Sequence, residues 1–135
     1  MAVVVGYVPT PEGRAALQAA REEARDRRLK LVVVNSHKGG ASFDGDDAIR
    51  TDQELETVRR ELTADGSDFE ILTLVRGNDP TEDLVEVAAE LGAALIVIGL
   101  RRRSPIGKIV LGSNAQRILL EADCPVLSVK APRGG

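Results

Sequence analysis

Five short runs of aliphatic residues, separated by longer stretches with helical spacing, constrain this chain more than anything else in it. The runs are Ala2 to Val5, Leu31 to Val34, Phe69 to Val75, Ala93 to Ile98 and Val126 to Val129. Short segments that stay apolar at successive positions suit strands buried on both faces, because such strands have no solvent side on which to place alternate polar residues. The intervening segments are long enough to act as crossover helices. The order β-α-β-α-β-α-β-α-β therefore predicts a parallel sheet with helices on both faces. Right-handed crossovers then lead to a single doubly wound, Rossmann-like α/β domain. Aromatic residues make up only 2% of the chain, so its core has to be assembled from Val, Leu, Ile and Ala. With 135 residues, one such core is expected, over residues 1–130, followed by a frayed tail at 131–135.

Local signals mark where the helices begin and end. Thr10 ahead of Pro11 places a capping hydroxyl before a proline at the first helical position, and Leu17, Ala20 and Ala24 follow on one face. Asp79, Pro80 and Glu82 repeat that logic before Leu84, Val87, Ala88 and Leu91, with Gly92 as the stop. Ser113 and Gln116 read as a capping box opening a helix whose apolar face carries Ile118, Leu119 and Ala122. Pro125 ends it and starts the last strand. Leu55, Val58 and Leu62 define the remaining helix, after a polar stretch from Gly39 to Asp47 that reads as a loop.

Charge and cysteine usage exclude several classes of function. A net charge of -3 gives no field that attracts nucleic acid or an anionic membrane surface. A single cysteine rules out an internal disulfide and a multi-cysteine metal centre. No apolar run approaches the roughly 18 residues of a membrane span, and a cytoplasmic location is expected. His37 has no nucleophile or second metal ligand placed with it, and Asp44, Asp46 and Asp47 lack the spacing and closing glutamate of a calcium loop. Cys124 reads as a small packing residue. Tyr7 and Pro9 read as fixing a turn, with a wall of a ligand pocket as the alternative.

In open α/β sheets ligands bind beyond the carboxyl ends of the strands. Four loops qualify: Gly6 to Thr10, Asn35 to Gly40, Arg76 to Asp79 and Gly99 to Gly112. The last runs from a buried strand through glycines and Arg101, Arg102, Arg103 and Lys108, then closes on Gly112 and Ser113 at a helix start. Unpaired N–H groups and the positive end of a helix dipole make such a start a natural phosphate seat. A solvated charge run and a plain helix cap are the alternatives.

The stretch GLRRRSPIGKIVLGSNAQRIL carries a resemblance. It is similar to the G-x2-G-x9-G-S/T motif of ATP-binding universal stress proteins, with the required 13 positions between Gly99 and Gly112. The preceding ALIVIG and the following QRILLEADCPVLSV resemble the same family, and the likeness extends over essentially the whole chain. It implies strand order 3-2-1-4-5 and a stress-associated regulatory role with no dedicated catalysis, slow ATP hydrolysis apart. It further implies ATP or another nucleotide as ligand, with Mg2+ only alongside it, and a homodimer through the edge strand Val126 to Val129. Carried over by position, the ligand residues are Gly99, Arg102, Gly112, Ser113, Asn114, Thr10 and Ser36. Arg102 stands where the motif has its middle glycine, which puts a long cation at a point of close backbone approach. Val8 stands where the family's nucleotide-contacting aspartate is expected, and valine accepts no hydrogen bond. Those departures keep open the alternative of a family member that binds no nucleotide and acts as a dimeric adaptor.

Overall fold

The computed structural model describes residues 1–37, 45–75, 80–100 and 112–131. Strands β1 (Ala2–Gly6), β2 (Lys30–His37), β3 (Phe69–Val75), β4 (Leu95–Leu100) and β5 (Val126–Lys130) alternate with helices α1 (Pro11–Arg27), α2 (Gly45–Ala64), α3 (Pro80–Leu91) and α4 (Ser113–Glu121). The strands form one parallel sheet in the order β3-β2-β1-β4-β5. This is the doubly wound arrangement expected from the sequence.

Alternation along the strands divides the core into two layers. Val3, Val5, Leu31, Val33, Leu95 and Val97 meet Ala16, Leu17, Ala20 and Ala24 of α1 and Leu55, Val58 and Leu62 of α2 on one face. Ala2, Val4, Val32, Val34, Ile96 and Ile98 meet Leu84, Val87 and Ala88 of α3 and Ile118 of α4 on the other. Each fully buried aliphatic side chain contributes about 1.5–3 kcal/mol, and the central strands are apolar at consecutive positions because both faces are covered. Alanines on α1 let that helix lie close to the sheet, which compensates for the lack of aromatic volume.

Several boundaries differ from the sequence expectation. The second strand continues past Val34 to His37, because Asn35, Ser36 and His37 keep their ladder with Thr73, Leu74 and Val75 of β3. Backbone pairing there outweighs side-chain polarity. The fourth strand begins at Leu95 because Ala93 still belongs to the end of α3: Gly92 is left-handed with φ 60°, and the Ala93 N–H donates to the Ala88 carbonyl at 2.9 Å. Its other end takes in Gly99 and Leu100. The stretch Gly39 to Asp47, read as a loop, gives up Gly45, Asp46 and Asp47 to α2. Leu91 and Leu119, assigned to apolar helix faces, are exposed at 40% and 41%.

Ions join α1 to α2. The two helices run parallel, and Arg14 pairs with Glu54 at 2.5 Å, Arg21 with Glu61 at 3.6 Å and with Asp65, and Arg25 with Asp65 at 3.4 Å. The same forty-residue offset recurs in the hydrogen bonds from Arg14 to Glu54 and from Arg25 to Asp65, so these pairs form a ladder flanking the Leu17–Val58 seam.

Candidate functional site

The strand order makes β1 and β4 neighbours whose following helices leave on opposite faces, α1 on one and α4 on the other. A crevice opens at the carboxyl ends of two such strands. Gly99 near the end of β4 and the segment from Tyr7 to Thr10 after β1 both lie at this edge.

Thr10 is the N-cap of α1. Its backbone is extended, at φ -133° and ψ 165°, and its hydroxyl oxygen accepts the Gly13 N–H at 3.1 Å. The Thr10 carbonyl accepts the Arg14 N–H at 2.9 Å, and Pro11 has no N–H to satisfy. This first turn also carries Glu12. It is thus already capped and bears an acid, so it offers little to an anion.

Two glycines press this turn into place. A methyl group on Gly13 would stand 2.8 Å from the Val8 carbonyl carbon and closer still to its oxygen, and one on Gly99 would stand 2.6 Å from the Glu12 carbonyl carbon. Gly99 therefore has a structural task, letting the start of α1 lie across the end of β4. Gly13 was not singled out by sequence, although a glycine within a helix's first turn is a signal of close approach.

The start of α4 is built differently. The structure corrects the expected capping box: Gly112, with φ -69° and ψ 163°, is the N-cap and has no side chain with which to cap the helix, and Ser113 is its first residue. Glycine supplies no side-chain oxygen, and Ser113 has moved one place too far into the helix to serve as the cap. The first helical bond runs from the Gln116 N–H to the Gly112 carbonyl at 3.0 Å. The amides of Ser113, Asn114 and Ala115 precede that bond, and no acidic residue lies in this turn, whereas the first turns of α1 and α3 carry Glu12 and Glu82 with Asp83. Amides of this kind, at the positive end of a helix dipole, suit an anion.

The remaining expected site residues distribute as follows. Ser36 lies in β2, opposite Leu74, at the carboxyl end of the sheet. Arg102 lies outside the described residues, as do Arg101, Arg103, Lys108 and Asp79. Val8 is 48% exposed at the crevice. Tyr7 turns the other way, 3% exposed in the core beneath α1 and α2, where it lines a pocket with Arg14, Leu17 and Glu54 rather than the crevice at the strand ends. Burial pushes its phenol pKa up, the Glu54 carboxylate adds to that rise, and Arg14 opposes it. Hydrogen bonding to Glu54 raises the Arg14 pKa in turn. Among the described residues, no cluster of His, Cys, Asp or Glu could hold a metal ion, and no helix is long and apolar enough to cross a membrane.

Comparison with known proteins agrees with this fold. A model of the Universal stress protein family matches residues 1–130. A universal stress protein of Mycolicibacterium smegmatis is 45% identical over 132 residues, 98% of each chain. A solved universal stress protein of Archaeoglobus fulgidus superposes with a TM-score of 0.82 at 37% identity, over 96% of this chain and 98% of that one. The structure of a universal stress protein from Archaeoglobus fulgidus in complex with dAMP is similar at a TM-score of 0.77 and 33% identity, with the same coverage of each.

Proposed function

The chain belongs to the universal stress protein family, and from that premise we propose that it is a stress-response regulatory protein binding ATP or a related phosphate-bearing nucleotide at the start of α4. The observation that carries this reading is the first turn of α4, which opens on a glycine N-cap and carries no acidic residue. The dAMP complex of the 33%-identical relative supports a nucleotide as the anion. In this reading the amides of Ser113 and Asn114 and the Ser113 hydroxyl hold phosphate oxygens, and Gly112 keeps the approach open. Gly99 shapes the crevice floor, Arg102 contributes a guanidinium from the connecting segment, and Thr10 and Ser36 border the rest of the ligand. Mg2+ enters only with the nucleotide. Binding regulates an interaction and performs no dedicated chemistry, with slow ATP hydrolysis the most it would support. The protein acts in the cytoplasm as one domain spanning residues 1–130 and as a homodimer through Val126 to Val129, the outer strand of the sheet.

Ser113→Asp tests this directly. A carboxylate in the first turn stabilises the helix by about 0.3–1 kcal/mol through its dipole. The same charge repels a phosphate, so calorimetry with ATP and Mg2+ is expected to show affinity falling at least about tenfold, or roughly 1.4 kcal/mol, while the melting temperature holds or rises. Unchanged affinity would refute the placement. The second reading, an adaptor that binds no nucleotide, is favoured by exposed Val8 in place of an acceptor. It predicts no heat and no thermal stabilisation at millimolar ATP.

A further inference from the structure

We propose that the cavity between α1 and α2 is a ligand site separate from the start of α4, taking a small neutral molecule that presents an amide edge. The cavity measures 370 Å³, within the range of small-molecule pockets, and the Tyr7 ring, Leu17 and Val58 give it an apolar floor. It lies on the sheet face opposite α4, and none of the residues expected to hold the nucleotide lines it. The observation that carries the proposal is the Tyr7 phenol. Tyr7 is 3% exposed and borders the cavity, yet its hydroxyl makes no hydrogen bond among the described residues. A tyrosine buried to this degree ordinarily has a partner for its O–H. Burial keeps the phenol protonated, so it stands ready as a donor.

Two further groups bordering the cavity are incompletely paired. Glu54 accepts from Arg14 through Oε1, while its Oε2 is closed to water and has no partner. Arg21 uses its two terminal nitrogens on Glu61 and Asp65, and its Nε is likewise closed off and unpartnered. A buried polar atom without a partner is costly, and a ligand that supplies the partner relieves that cost. The set calls for an acceptor, to meet the phenol O–H and the Arg21 N–H, and for a donor, to meet the Glu54 oxygen. An amide carries both on one edge. The charges at the cavity already pair with one another, Arg14 with Glu54 and Arg21 with Glu61, so no net charge recruits an ion. A carboxylate would lack the donor, and an amidinium the acceptor.

Benzamide, benzoate and benzamidinium are nearly the same shape and separate these cases. Each is titrated into the full chain, isotope-labelled at its backbone amides and in the ring of its only tyrosine, and followed through Tyr7 and the Gln18 and Thr57 amides at the cavity. Benzamide is expected to shift these signals saturably with a dissociation constant of about 1–10 mM, as suits so small a molecule. Benzoate and benzamidinium are expected to bind at least about fivefold more weakly. Tyr7→Phe keeps the ring and removes the donor. Because the hydroxyl is unpaired in the free protein, the melting temperature should hold within about 2 °C, while benzamide, followed through the amides, weakens by about fivefold, the value of one neutral hydrogen bond. Absence of a saturable shift up to about 50 mM benzamide leaves the cavity to water and overturns the inference. Equal binding of the three isosteres, or unchanged affinity in Tyr7→Phe, overturns it as well. Benzamide shifts confined to the amides of Ser113, Asn114 and Ala115 would place the probe at the start of α4 and have the same consequence.

Discussion

Replacing Gly99 with alanine separates a glycine kept for packing from one kept for phosphate. The added methyl would stand 2.6 Å from the Glu12 carbonyl carbon and 3.1 Å from its Cβ, with the carbonyl oxygen nearer still. Neither side can yield cheaply, since Gly99 is held in β4 opposite Val129 and Glu12 lies in a turn capped by Thr10. Overpacking costs about 1–3 kcal/mol, and a clash of backbone with backbone belongs at the upper end. Reduced freedom of the unfolded chain returns about 0.4–1 kcal/mol, so the net loss is about 2 kcal/mol. For a chain of this size that lowers the melting temperature by roughly 8 °C. Gly6→Ala is the control, because its methyl would touch only the flexible Leu84 side chain, at 3.0 Å, and its cost is expected to stay under about 1 kcal/mol. Scanning calorimetry without ligand is the assay. A fall of less than about 2 °C for Gly99→Ala would refute the claim that α1 is clamped on β4.

The ladder between α1 and α2 predicts unequal arginines: Arg21, 18% exposed with two carboxylates, should cost about 1–2 kcal/mol when changed to alanine, and Arg25, 67% exposed, no more than about 0.5 kcal/mol. Equal urea midpoints for the two variants would contradict this. Burial, and secondarily the Asp123 charge, push the Cys124 thiol pKa above its ordinary 9.0, so folding favours the protonated thiol. That contribution is fully present below pH 9 and is lost as pH rises through the folded value; at pH 8.5 iodoacetamide should label the folded chain at least about fivefold more slowly than the urea-unfolded chain. On α4, Ile118 packs in the core and Arg117 reaches Glu82 of α3, so Leu119, 41% exposed, lies a hundred degrees round the helix from Ile118 on the side away from Arg117. Leu119→Arg should shift sedimentation from dimer to monomer at micromolar concentration without lowering the melting temperature by more than about 2 °C. A wild-type monomer, or an unaffected dimer, would contradict the proposed seam.

The fold was legible because its determinants are local and strongly patterned. Val3 to Val5, Leu31 to Val34 and Leu95 to Ile98 are buried on both faces, and Thr10 with Pro11 and Gly92 with its positive φ act where the sequence puts them. Less legible were boundaries decided by a neighbour. Asn35 and Ser36 read as loop residues, yet the ladder to Thr73 and Leu74 carries them into β2. Ser113 has the chemistry of a cap, but the chain enters α4 with Gly112 in the extended conformation, and that single-residue shift puts a residue without a side chain at the N-cap. Gly99 was expected to make room for phosphate; its clash with Glu12 comes from a helix almost ninety residues earlier, which no local pattern reveals. Val8 was identified as a missing acceptor, and its exposure at the crevice gives that absence a physical surface.

The most direct measurement is a titration of the isotope-labelled protein with ATP and Mg2+, followed through the backbone amide resonances. Phosphate held at the start of α4 predicts that the amides of Ser113, Asn114 and Ala115 move first and furthest, with protons shifted downfield as they take up charged acceptors. Saturating ATP that leaves these three amides in place would contradict the account, whether other resonances move or none do.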